Sequence, residues 1–237
     1  MTRSIFVTGT DTDVGKTAVT ALAAAHLAKT RINFRAVKPF CSGERTDTLL
    51  LQALQEQSLS LQEVNPFYFP DPVSPWTAAR RANNSVSLNQ VLNYLRQQAN
   101  ACDLLLVEGA GGLFSPLGDR FNAADLIVNL QSEVIVVAAN RLGVLNHTVL
   151  TIEALMRRNV VKIKIALVDL GATESAPSTN EEDLRLLLTD IPLLRIPFLP
   201  GYKAERRFIR TAAERLNDVL EKLTSPASVA VQNRLSH

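Results

Sequence analysis

The residues best equipped for chemistry lie near the N-terminus, in the stretch GTDTDVGKT from Gly9 to Thr17, which joins a short β-branched run to a segment rich in Ala and Leu. A glycine-containing turn between strand and helix offers successive backbone N–H groups. The helix N-terminus adds partial positive charge, so a polyphosphate is the natural guest. Gly15 lets the backbone approach it, the Lys16 ammonium neutralises its β and γ oxygens, and the Thr17 hydroxyl is placed for Mg²⁺. The spacing departs from the common phosphate loop, because five residues rather than four separate Gly9 from Gly15. A bare turn with an incidental Lys-Thr is the alternative, and the strand-turn-helix context argues against it. Such a loop also needs an acid near the metal, held at the end of an apolar strand. Glu108 follows Leu104 to Val107 directly and fits, unless it is only a surface acid. Lys38 ends another strand in KPFCSG, either at the ligand side of a parallel sheet or as a solvated loop lysine. Asp47 opens a helix and is either a metal ligand or a first-turn acid suited to the helix dipole.

Elements that would position these groups alternate along the chain. Strands are expected at 4–8, 34–40, 103–107, 134–139, 163–168 and 194–199, with helices at 16–29, around Leu49 to Leu54, and at 87–100, 146–158, 181–188 and 204–223. This alternation predicts an α/β fold with a mostly parallel central sheet and helices on both faces, and the phosphate loop after its first strand makes the expected type that of a P-loop NTPase. The stretch NPFYFPDPVSPW holds four of the chain's eleven prolines and reads as extended surface loop. In the last helix Phe208, Ile209, Ala212, Leu216, Val219, Leu220 and Leu223 form one apolar stripe, to be docked on the sheet or laid on a membrane. Residues 1–224 read as a single domain and 225–237 as a flexible tail.

With 25 basic and 23 acidic residues among 237, the net charge of +2 gives no electrostatic reason to expect nucleic acid or an anionic membrane as partner. No apolar run approaches the roughly 20 residues that span a bilayer, and the start MTRSIFVTGT lacks an export signal. Two cysteines, Cys41 and Cys102, make at most one bridge, which suits a reducing, cytoplasmic setting.

GTDTDVGKT, KPFCSG, Thr46-Asp47, SPWTAA, VEGAGGL, NRLGVLNH and PFLP occur in the order found in dethiobiotin synthetases, and the chain resembles that family over roughly residues 1–200. The resemblance implies a homodimer that uses ATP and Mg²⁺ to close 7,8-diaminononanoate and CO₂ into dethiobiotin. It also implies roles for individual residues. Thr17, Asp47 and Glu108 would hold the metal, and Lys16 and Lys38 would serve catalysis. Thr12, Asp13, Val14 and Gly15 would cradle the nucleotide, as would Gly109, Ala110 and Gly111, with Pro197, Phe198 and Leu199 at the base. Ser42, Asp13 and Lys38 would face the substrate. Asn146, or the helix start it marks, would hold the substrate carboxylate from the partner subunit, unless it is a plain N-cap.

Two positions depart from the family pattern. Trp76 stands where a His is frequent. Asp169 stands where an Asn commonly reads adenine, and a carboxylate accepts but cannot donate, so a relaxed preference for ATP is expected unless Asp169 points to solvent. Competing readings are a P-loop amidoligase, a partitioning-type nucleotide switch and a non-catalytic regulatory homologue. The first lacks a glutaminase domain here, the second a further lysine in the phosphate loop, and the third sits poorly with Lys38, Asp47 and Glu108 all present.

Overall fold

The computed structural model describes residues 2–55, 59–171 and 179–229. From the N-terminus the chain forms β1 (Arg3–Gly9), α1 (Lys16–Leu27), β2 (Phe34–Val37), β3 (Phe40–Ser42), α2 (Thr46–Leu54), α3 (Leu61–Val64), β4 (Phe67–Phe69) and α4 (Pro75–Arg81). There follow α5 (Leu88–Ala99), β5 (Leu104–Gly112), β6 (Pro116–Gly118), β7 (Phe121–Asn122), α6 (Ala123–Leu130) and β8 (Glu133–Ala139). The last third holds α7 (Val144–Met156), β9 (Ile163–Val168), α8 (Asn180–Leu187), β10 (Leu193–Ile196), α9 (Arg206–Arg215) and α10 (Asn217–Thr224).

Period-two alternation of apolar residues on both faces dictates the layering. Ile5 and Val7 of β1, Leu104 and Leu106 of β5, and Ile135 and Val137 of β8 enter one buried cluster, together with α1, α2, α9 and α10. Phe6, Leu105, Val107, Val134 and Val136 enter the other, with α5, α6, α7 and α8. A strand buried on both sides must be covered on both sides, which is the condition of a parallel sheet. The six strands run in the order β10-β9-β8-β1-β5-β2, and every pairing is parallel. All six therefore end at the same edge, and the loops there carry the candidate groups.

Several elements differ from expectation. The strand expected over 34–40 stops at Val37, because Pro39 has no N–H to give a ladder, and β3 leaves the central sheet to pair with β4. β4 lies inside the proline-rich stretch, where Phe67 stacks on Phe40 at 5.1 Å and Phe69 is buried, so this segment is not simply surface loop. α6 is unanticipated, although Asn122 and Asp125 form a reciprocal capping box at its start. The expected C-terminal helix is two helices, broken at Leu216, whose φ of −105° and ψ of 16° leave the helical region. Both halves pack inward: α9 lies on α1, α10 lies on α1 and β10, and Ile209, Leu220 and Leu223 are buried. The stripe is thus docked on the sheet and does not lie free for a membrane. Among the described residues no helix is long and apolar enough to cross a membrane.

Candidate active site

The phosphate loop leaves β1 at Gly9 and enters α1 at Lys16 through Gly15, whose φ of +99° is a left-handed conformation that a side chain would strain. A Cβ there would also lie 3.2 Å from Val168 at the end of β9, so only glycine lets loop and strand end meet this closely. No side chain caps α1 and no acid lies in its first turn. Its leading N–H groups and the positive end of its dipole are open to an anion. Lys16 is buried and donates back across the loop to the carbonyl of Asp11 at 2.7 Å. Burial lowers its pKa below the ordinary lysine value, against the pull of Glu108.

Beside the loop, four side chains converge, from α1, α2, β5 and the connection between β2 and β3. The Thr17 hydroxyl lies 2.9 Å from Asp47 Oδ2 and 2.8 Å from Glu108 Oε1. Lys38 Nζ donates to the same two oxygens at 2.5 and 2.7 Å. Burial opposes the Lys38 charge, but Glu108 and Asp47 together outweigh it and hold the ammonium well above the usual lysine range. The break at Lys38-Pro39 is what frees this side chain from the sheet edge, and β5 carries Glu108 to a position with no exposed side-chain surface.

The second oxygen of Glu108, Oε2, is buried and has no hydrogen-bond partner among the described residues. With Asp47 and the Thr17 hydroxyl it gives an all-oxygen set suited to a hard cation, so these residues fit Mg²⁺. Among the described residues no cluster of three or more His, Cys, Asp or Glu side chains stands ready for a metal. Phosphate and water oxygens would have to complete the shell.

A cleft of about 470 Å³ opens over this cluster. Thr12, Asp13, Gly15, Lys16 and Thr17 line it from the loop; Lys38, Ser42 and Asp47 line it from the next crossover; Glu108, Gly109, Ala110 and Gly111 line it from β5. Val14 does not, being buried in the core beneath the loop. Pro197, Phe198 and Leu199 line a neighbouring groove against α9. Asn146 is exposed in the first turn of α7 and is not its N-cap, a position held by Gly143. Trp76 makes a 3.3 Å hydrogen bond to Asp119, has Arg80 over its ring, and is not among the residues that line the cleft.

Asp169 is neither free nor aimed at solvent. Asn140 Nδ2 donates to its Oδ1 at 2.7 Å and Arg195 Nε to its Oδ2 at 2.8 Å. Asn180 Nδ2 in turn donates to Asn140 Oδ1 at 3.0 Å. Reasoning from sequence missed this network, since its three hydrogen bonds join four residues across separations of 26 to 40 positions, with no local pattern between them. It missed Tyr202 as well, which enters the cleft from the connection after β10 and packs edge-on against Phe208. Burial, with the carboxylates of Asp47 and Glu108 adding to it, pushes the Tyr202 phenol up to about 12. Its place after a strand at the ligand edge was the one signal available.

Known proteins match this arrangement at two levels. A family model described as "AAA domain" matches residues 3–206. The "ATP-dependent dethiobiotin synthetase BioD" of Bacillus licheniformis is 34% identical over 199 residues, covering 82% of this chain and 85% of that protein. The protein of the same description from Anaeromyxobacter sp. is 37% identical over 215 residues, covering 88% and 96%. Among solved structures, a ParA family ATPase from Chlorobium tepidum aligns with a TM-score of 0.56 at 14% identity, covering 91% of this chain and 99% of that one. The MinC:MinD cell division complex of Aquifex aeolicus aligns with a TM-score of 0.57 at 15% identity, covering 91% and 96%. At such identities these structures speak for the fold alone, a P-loop α/β architecture. The sequence relatives speak for more: the chain belongs to the ATP-dependent dethiobiotin synthetase family.

Proposed function

We infer that this protein is a dethiobiotin synthetase, an ATP-dependent carbon-nitrogen ligase that joins 7,8-diaminononanoate and CO₂ into the ureido ring of dethiobiotin with release of ADP and phosphate. The observation that carries the reading is the convergence of Lys38, Thr17, Asp47 and Glu108 beside an uncapped α1 and its Lys16. In this reaction one amine of the substrate captures CO₂ as a carbamate. A carbamate oxygen attacks the γ-phosphorus of ATP and displaces ADP, and the second amine then attacks the carbamoyl carbon, expelling phosphate and closing the ring. Two anions, carbamate and triphosphate, must therefore be held together, and no protein nucleophile is required.

The work of this chain is positioning and charge. Lys16 offsets the terminal phosphates. Lys38 lies where carbamate and γ-phosphate would meet, and Asp13 and Ser42 border the same cleft on the substrate side. Thr17, Asp47 and Glu108 would hold Mg²⁺, which when bound supplies positive charge to the transferring phosphoryl group. The base would rest near Asp169 and Pro197 to Leu199. The second amine needs a proton acceptor as it closes the ring, and the departing phosphate can serve.

The active unit in this reading is a homodimer in a cytoplasmic setting. Leu142, Leu150 and Phe114 are exposed apolar side chains on and beside α7, and Gly143 leaves the α7 N-terminus without a side-chain cap, open to the substrate carboxylate of a second copy. The direct test is mass-spectrometric detection of dethiobiotin from purified protein, diaminononanoate, bicarbonate, Mg²⁺ and ATP. Product that depends on ATP is the expected result. A folded protein that binds triphosphate yet forms no product would move the assignment to a regulatory homologue.

A further inference from the structure

The metal acids and Lys38 lie on the β5–β2 side of the phosphate loop, so the terminal phosphate points that way and the nucleoside trails toward β8, β9 and β10. Neighbouring strands are about 4.8 Å apart, which puts the ends of β9 and β10 roughly 10 to 15 Å from β1, within reach of a base. Val168 at the end of β9 lies so near Gly15 that an added Cβ would come within 3.2 Å of it, and Asp169 is the next residue. Beyond it the half-exposed ring of Phe198 lies over Gly171, where an added Cβ would come within 3.2 Å of the ring. An exposed aromatic face at this place offers stacking, which does not distinguish bases because every base has a π-face.

Discrimination must come from the edge of the base, and here the charges are already matched. A free carboxylate only accepts and would favour guanine, whose ring N–H and amino group both donate. Asp169 is not free: each oxygen accepts one hydrogen bond, from Asn140 and from Arg195, and the Arg195 pair cancels its charge. Arg195 spends Nε on Asp169 and Nη1 on Glu181 at 3.4 Å, and among the described residues no hydrogen bond occupies its Nη2. A donor thus stands beside an acceptor, on a side chain 53% exposed. Adenine and cytosine present an amino group beside a bare ring nitrogen; guanine and uracil present a keto oxygen beside a ring N–H. A guanidinium-carboxylate pair can answer either pattern.

We propose that the Arg195–Asp169 pair makes this chain tolerant of the base of its triphosphate, with Arg195 the specificity-determining residue that keeps Asp169 from selecting guanine. The proposal rests on the nucleotide-site reading above and deepens it. Its test is displacement of a fluorescent ribose-labelled ATP from the full-length protein by ATP, CTP, GTP and UTP, with Mg²⁺ and without diamine, and the same four nucleotides in the dethiobiotin assay. For the wild type the four dissociation constants are expected to agree within about tenfold, a spread of about 1.4 kcal/mol. Arg195→Met should raise affinity for GTP relative to ATP by at least about tenfold. Asp169→Asn should move the ratio toward ATP, Arg195→Lys should retain tolerance, and Glu181→Gln, which leaves the Asp169 pair in place, should change nothing. A wild type that prefers ATP over GTP by about a hundredfold or more, or a folded Arg195→Met protein with the wild-type pattern, overturns the proposal. Base-tolerant displacement without dethiobiotin would reject the ligase reading and leave the proposal standing. No displacement by any triphosphate would reject the phosphate loop and the proposal with it.

Discussion

Glu108 shows what a single buried carboxylate asks of its neighbours. One oxygen is met by Lys38 and Thr17 and the other by nothing among the described residues. Removing one partner of a buried pair costs about 3–5 kcal/mol because the remaining charge stays desolvated. Lys38→Ala is therefore expected to lower the melting temperature, to regain part of it in millimolar Mg²⁺, and to lose ring closure while still binding nucleotide. Melting curves with and without Mg²⁺, beside product assays, check this, and unchanged product formation would return Lys38 to a structural pairing. Lys16→Ala should abolish turnover with the fold intact, since among the described residues the Lys16 ammonium makes one hydrogen bond, to the Asp11 carbonyl. Near-normal rates in that variant would reject the phosphate-loop assignment. Lys16, Thr17 and Glu108 are legible from sequence because strand-turn-helix and strand-acid are local patterns. Asp169 is legible only as an anomaly, since Arg195, which changes its chemistry, sits on another strand.

At the scale of elements, the end of the sheet opposite the cleft is closed by a clamp on α10. Arg3 donates to the carbonyls of Thr224 and Ser225 at 2.6 Å, and Lys164 donates to those of Lys222, Leu223 and Ser225. The carbonyls that a helix leaves unpaired at its C-terminus thus meet two cations. Glu133 completes the clamp, accepting from Arg3 and from the Ala227 N–H. Burial alone would raise the pKa of Glu133, but the Arg3 and Ala227 hydrogen bonds outweigh it and hold the carboxyl below the usual glutamate range. The native state then binds this proton more weakly than the unfolded state does. The stabilisation is present above the unfolded pKa of about 4.3 and is lost as pH falls through the lower native value. Glu133→Gln should melt below the wild type at neutral pH, and the gap should close under acid conditions. A gap of constant size in melts between about pH 3 and 7 would show that the carboxylate charge contributes nothing.

For the whole molecule the question is which copy completes the site. If the α7 N-terminus of one subunit serves the phosphate loop of another, two inactive variants should rescue each other. Lys16→Ala mixed with Asn146→Arg leaves each heterodimer one intact site, so random exchange should restore about a quarter of wild-type turnover. Each variant alone should stay near zero, and mixing without recovery would place all catalytic groups within one chain. Sedimentation should show a dimer, weakened by Leu150→Glu if this exposed face of α7 is covered by the second copy.

Sequence alone determined the class of fold, the phosphate loop, the acid that ends the apolar run of β5 and the family, because all of these rest on short-range order: period-two runs buried on both faces, a glycine turn between strand and helix, an acid directly after an apolar strand, and short motifs in a fixed order. It misjudged elements whose stability is not local. The FYF strand at 67–69 exists because Phe67 finds Phe40, and the break at Leu216 lets two helices dock where one was expected. Tertiary structure alone decided which charges neutralise one another: Lys38 with Asp47 and Glu108, and Arg195 with Asp169. The physical reason is that a side chain's charge can be read from its type, whereas the field it sits in is set by residues that only the folded sheet brings within 3 Å.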